Sequence, residues 1–155
     1  DWLAFEFWDS GSQDLLREHR KDLRSPFESN PANCSNSSFY VLIETHGSNQ
    51  SHDQEKISGL LEKLLHDRMV LDGALAQDQT QTDQFWAMRE SIPEACSKEG
   101  VVYKYDITLH PAELYDLVET MRERLKGTEA TGVIGYGHVG DGTELLLLWL
   151  FTGFR

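Results

Sequence analysis

Hydrophobic and polar residues change period several times along this chain, and each change predicts an element. Leu3–Trp8 alternates bulky apolar and polar positions as a strand does, and Ser10–Arg20 has the composition of a short polar helix. The stretch SPFESNPANCSNSS, 25–38, concentrates Ser, Pro and Asn and predicts a surface loop. FYVLIET, 39–45, is an apolar, β-branched run and therefore a strand. Between Gln54 and Leu65 the apolar residues Ile57, Leu60, Leu61, Leu64 and Leu65 fall at i, i+3, i+4, i+7 and i+8, the stripe of an amphipathic helix expected to lie on a sheet.

Val70–Gly73 predicts a short extended piece, and Asp83–Lys98 a helix interrupted by Pro93. That proline has two readings. In a continuous helix it removes the bond to the carbonyl of residue 89 and kinks the chain there. In Ser91-Ile-Pro-Glu94 it instead sits inside a capping box that starts a new helix, which needs no strain and is preferred. VVYKYDIT, 101–108, is a strand with Val102, Lys104 and Asp106 on one face and Tyr103, Tyr105 and Ile107 on the other. Leu114, Leu117, Val118, Met121 and Leu125 form a second helical stripe opened by Pro111, and TGVIGYGHV, 131–139, is the last strand. Half-polar strand faces fit a sheet covered on one side, so the pattern predicts an α+β domain of ferredoxin-like plait type, mainly antiparallel, with helices on one face.

A length of 155 residues with 39% hydrophobic content suits one domain. The formal charge of −12 repels a phosphate backbone, so nucleic acid is not an expected partner. The apolar run Leu145–Phe151 falls far short of the roughly 20 residues that span a bilayer, which predicts no membrane span. Cys34 and Cys96 lack metal-type spacing and favour a reducing compartment, with a disulfide between them left open. Asn33, Asn36 and Asn49 fit the glycosylation acceptor pattern, which is common by chance in Ser/Asn-rich loops. The chain opens on a strand rather than a targeting segment, so any such signal is expected outside it.

Three side chains carry candidate chemistry. Arg89, four residues after Phe85 and three before Ile92, emerges on the apolar face of its helix. It either snorkels to water at the helix edge or clamps a carboxylate with its planar fork. Lys104 is a cation in mid-strand, either a solvated edge residue or a point charge facing a cleft. His138, framed by Gly135, Gly137, Gly140 and Gly142 with Asp141 close by, has the type of a divalent-metal ligand, although such sites recruit three or four protein groups. His19, His46, His52, His66 and His110 stand among polar neighbours and are expected at the surface.

In order along the chain, LAFEFWD, FYVLIETHGSN with HDQEK, VLDGALAQD, FWAMRESI, VVYKYDITL and VIGYGHVGDG resemble the D-2-hydroxyglutarate dehydrogenases. These belong to the wider group of FAD-linked D-lactate and glycolate dehydrogenases. The resemblance covers residues 1–142 as part of the FAD-linked oxidase C-terminal (substrate-cap) domain, with 25–38 as a loop insertion. It implies that Arg89 and Lys104 hold the carboxylates of a small 2-hydroxy acid and that His138 is the first histidine of a Zn2+ site. It further implies FAD bound mainly by a preceding domain, and a mitochondrial location; it names no electron acceptor. After Gly142 the family continues Asn-Leu-His-Leu-Asn, whereas this chain reads Thr143, Glu144, Leu145, Leu146, Leu147. The second metal histidine and a substrate asparagine are thereby replaced, and Pro93 stands where the family commonly has a hydroxyl-bearing contact. The expectation is a truncated fragment of a D-2-hydroxyglutarate-oxidising enzyme, inactive alone, with 143–155 a non-family apolar tail. The alternatives are the cap of a D-lactate or glycolate dehydrogenase, or a non-catalytic anion-binding module.

Overall fold

The computed structural model describes residues 2–27, 39–110, 113, 115–139 and the backbone of 144–152. Chain order gives β1 (Trp2–Asp9), α1 (Ser10–His19), β2 (Phe39–Thr45), α2 (Gln50–His66), α3 (Gln79–Glu90), α4 (Ile92–Ser97), β3 (Val101–Leu109), α5 (Asp116–Arg124), β4 (Ala130–His138) and β5 (Glu144–Thr152). The five strands form one sheet in the order β2-β1-β4-β5-β3, and every pairing in it is antiparallel. The domain is α+β. Most of the predicted 25–38 loop lies outside the described residues, as does Cys34.

Local chemistry sets the helix boundaries. The Asp9 side chain accepts from the Ser12 amide at the start of α1, Asn49 accepts from His52 at α2, and Asp78 accepts from Gln81 at α3. The break between α3 and α4 falls at Ser91, with Pro93 in the first turn of α4, where its missing N–H costs nothing. Ser91 makes no side-chain cap bond, so the expected capping box is absent. Its hydroxyl instead accepts from Arg20.

Helices cover both faces of the sheet, which corrects the expected one-sided plait. Trp8, Tyr40, Ile134 and Tyr136 pack with Leu15 and Leu16 of α1, Met88 of α3, and Ile92, Ala95 and Cys96 of α4. The neighbouring strand residues Phe7 and Val133 pack instead with Val118, Leu117 and Met121 of α5. Successive strand residues point to opposite faces, so the two clusters lie on opposite sides of β1 and β4. In consequence Glu6–Asp9 and Val133–Gly137 are buried without alternation. Among the described side chains, the outer strands are the half-exposed ones: β3 exposes Val101, Tyr103 and Tyr105, and β2 exposes Phe39 and Val41. On the first face α1 closes tightly on β4, because a Cβ at Gly11 would lie 3.0 Å from Ile134 Cγ2.

Two further expectations change. The α2 stripe exists, but none of its residues is fully buried, and Val70–Gly73 forms no strand. The segment expected as an appended tail runs as β5 between β4 and β3, hydrogen-bonded on both sides. A strand with neighbours on both edges has its backbone groups paired and needs none of the polar relief that an exposed tail would show. No helix among the described residues is long and apolar enough to cross a membrane.

Candidate functional site

The register across three strands decides which candidate side chains share a face. Glu6 lies opposite His138 and Trp8 opposite Tyr136. Through the backbone of β5, Tyr136 is in row with Asp106 and Ile134 with Lys104. Directly opposed residues of an antiparallel pair project to the same side. Glu6, Tyr136, His138, Lys104 and Asp106 therefore share the face that α1, α3 and α4 cover.

Arg89 comes to this face from the last turn of α3. Its side chain is 8% exposed, and the guanidinium places Nη2 2.9 Å from Glu6 Oε2 and stacks 4.6 Å from the centroid of the Tyr136 ring. Snorkelling is thus replaced by burial with a counter-charge. The pair approaches without hydrogen-bond alignment: Glu6 Oε2 and Arg89 Nε are buried and make no hydrogen bond among the described residues. The other oxygen of Glu6 lies 2.5 Å from His138 Nδ1, and the histidine side chain is half exposed. Glu6, itself 5% exposed, joins the two predicted site residues. Burial raises the Tyr136 phenol well above its ordinary range, offset in part by Arg89.

Lys104 is brought to the same face but not into this contact. Its Nζ is 3.7 Å from Asp106 Oδ1, so the ammonium leans along β3 toward the row of Tyr136. Its Cα is two strands and two same-face rows away from His138, roughly 16 Å at ordinary strand spacings. Both partners of the Lys104–Asp106 pair are about half exposed, where an ion pair contributes little to stability.

His19 was expected at the surface. Instead it is largely buried, with Nε2 2.5 Å from Glu99 Oε1. With Glu18 these residues form the one group of three metal-type ligands among the described residues, within 4.8 Å of one another. His138 belongs to no such group. The described residues beside it supply a single imidazole nitrogen for a metal, not a zinc site. Cys96 is a free, buried thiol whose pKa is pushed up to about 12, mainly by desolvation and then by the Asp9 carboxylate. A buried neutral thiol of that kind is not a nucleophile.

Sequence reasoning missed Glu6. Its signal was present, an acidic residue inside the apolar strand LAFEFW, but only the β1–β4 pairing reveals that it faces His138. For Glu18–His19–Glu99 no signal was available, because Glu99 lies 80 residues from His19.

The fold is α+β, and one face of its sheet brings Glu6, Arg89 and His138 into contact. Residues 1–151 match the family described as FAD linked oxidases, C-terminal domain, and the chain belongs to that family. It is 45% identical to rat mitochondrial D-2-hydroxyglutarate dehydrogenase over 139 residues, 90% of this chain and 24% of that protein. Against the bovine mitochondrial enzyme of the same name the identity is 47% over the same coverage. A D-2-hydroxyglutarate–pyruvate transhydrogenase of Saccharomyces cerevisiae is 40% identical over 147 residues, 90% of this chain and 28% of that protein. The chain spans about a quarter of the length of the curated relatives it matches.

Proposed function

We propose that this chain is the substrate-side part of a mitochondrial FAD-dependent dehydrogenase that oxidises D-2-hydroxyglutarate to 2-oxoglutarate, and that the 155 residues alone do not turn over. Arg89 would hold one carboxylate of the dianion and Lys104 the other. The observation that carries this reading is the Arg89 guanidinium, buried on the same face as Lys104 with an Nε that has no hydrogen-bond partner among the described residues. A guanidinium with an uncommitted donor is suited to a planar carboxylate, and two cations suit a dicarboxylate better than lactate or glycolate. FAD, held mainly by chain outside these residues, would supply the hydride acceptor. His138 Nε2 would face the substrate hydroxyl or a metal bound to it. Residues 143–147, TELLL, offer no second imidazole, which supports inactivity of this chain.

Calorimetric titration with D-2-hydroxyglutarate tests the reading. Lys104→Gln, at a half-exposed position that leaves the fold intact, should weaken binding roughly tenfold or more, the worth of a charge-assisted contact. Equal binding by the variant, or D-lactate bound as tightly as the dicarboxylate, would sink it. In anaerobic mixtures of the chain with FAD and D-2-hydroxyglutarate the flavin absorbance should persist, and bleaching would refute inactivity.

A further inference from the structure

Glu6 stands outside the roles proposed for Arg89, Lys104 and His138, yet it is the atom-level link between two of them. We propose that Glu6 is a positioning residue that locks the His138 imidazole in the tautomer protonated at Nδ1, so that Nε2 presents its lone pair outward, while the same carboxylate neutralises Arg89. The inference deepens the functional reading above and rests on it for the identity of what meets Nε2. Its own basis is geometric.

An ionised carboxylate can only accept hydrogen bonds. With Glu6 Oε1 2.5 Å from Nδ1, the ring proton therefore sits on that nitrogen. In the neutral ring the other nitrogen is then the acceptor. His138 Nε2 has no protein partner among the described residues, and the side chain is half exposed. The second oxygen of Glu6, 2.9 Å from Arg89 Nη2, prevents the carboxylate from rotating away without stranding a buried guanidinium. A histidine offered to an electrophile is commonly oriented by such a partner on its far nitrogen. Here that partner is supplied by the neighbouring strand, and the Glu6–His138 backbone register fixes it.

The test is nitrogen-15 NMR of the histidine rings in the 155-residue chain, recorded at alkaline pH where the ring shifts no longer change with pH. His138 is assigned by loss of its signals in His138→Gln. The wild-type ring should show a protonated Nδ1 and a lone pair on Nε2. A proton resident on Nε2 overturns the proposal. Glu6→Gln retains an acceptor for Nδ1 and should keep most of that tautomer, whereas Glu6→Ala should let the proton move to Nε2. An unchanged tautomer in Glu6→Ala also overturns it. Unshifted methyl signals of Val118 and Val133, on the opposite face, certify that a variant is folded. If the alanine variant does not fold, the wild-type and glutamine measurements decide. D-2-hydroxyglutarate added to the wild type, followed at His138 Nε2, tests separately what meets that nitrogen. The expected tautomer with no response to D-2-hydroxyglutarate would keep the positioning role of Glu6 and remove the substrate-facing reading of His138, so the two fail separately.

Discussion

Two buried carboxylates lie three residues apart on β1, and their surroundings differ in kind. Asp9 is fully buried and saturated. Its Oδ1 accepts from the Ser12 amide and hydroxyl, each at 2.8 Å. Its Oδ2 accepts from Arg122 at 2.7 Å and from the Tyr115 hydroxyl and the Gly135 amide at 2.9 Å. Glu6 is almost as buried, but one oxygen meets a half-exposed histidine and the other an arginine without hydrogen-bond alignment. A buried polar group whose partners are complete is structural, because any change leaves donors stranded. One whose partners are incomplete holds interaction capacity for something else. Asp9 ties α1, α5 and β4 together, and Glu6 borders the proposed ligand face.

The contrast can be broken most sharply at Asp9. Asp9→Ala removes an N-cap and an ion-pair partner together and should cost about 3–5 kcal/mol in urea denaturation. A loss below about 1 kcal/mol would mean that the network is not the scaffold described.

Alkaline titration probes the packing on the Glu6 side through Cys96. Its folded pKa of about 12 lies above the ordinary 9.0. The unfolded state therefore ionises first, and the contribution is complete below about pH 9 and lost as pH rises toward 12. Stability should fall by about 1.4 kcal/mol per pH unit in that window, and Cys96→Ala should remove one proton's share of the slope. The thiol should also resist Ellman's reagent at pH 8 unless the chain is unfolded. On the Asp9 side, burial and then the Asp9 charge raise the Tyr115 phenol, so it too stays neutral and donating. Tyr115→Phe deletes one hydrogen bond to Asp9 and should cost about 1 kcal/mol.

The smallest expected effect is the most discriminating. Replacing Glu6 and Arg89 together, as Glu6→Leu with Arg89→Met, should alter stability by less than about 1 kcal/mol, since apolar isosteres often match a buried ion pair. It should nevertheless abolish binding of D-2-hydroxyglutarate in calorimetry. Large destabilisation by the double change would make Glu6 a second Asp9 and erase the distinction.

The strands at 39–45, 101–108 and 131–139 and the helix at 10–20 were legible because their periodicities follow from backbone geometry alone. Arg89 was legible as an oddity, a cation on an apolar helix stripe. The sequence could not show that β1 pairs with β4, which makes Glu6 the partner of His138 and turns one strand's two faces toward two different helix layers. Nor could it place the leucine run as an inner strand. Local propensity depends on a residue and its near neighbours, so amino-acid order determined the elements and the family of this chain. Which charges meet depends on contacts between residues more than a hundred positions apart, as with Glu6 and His138, and on strand register. Only the folded sheet decided those.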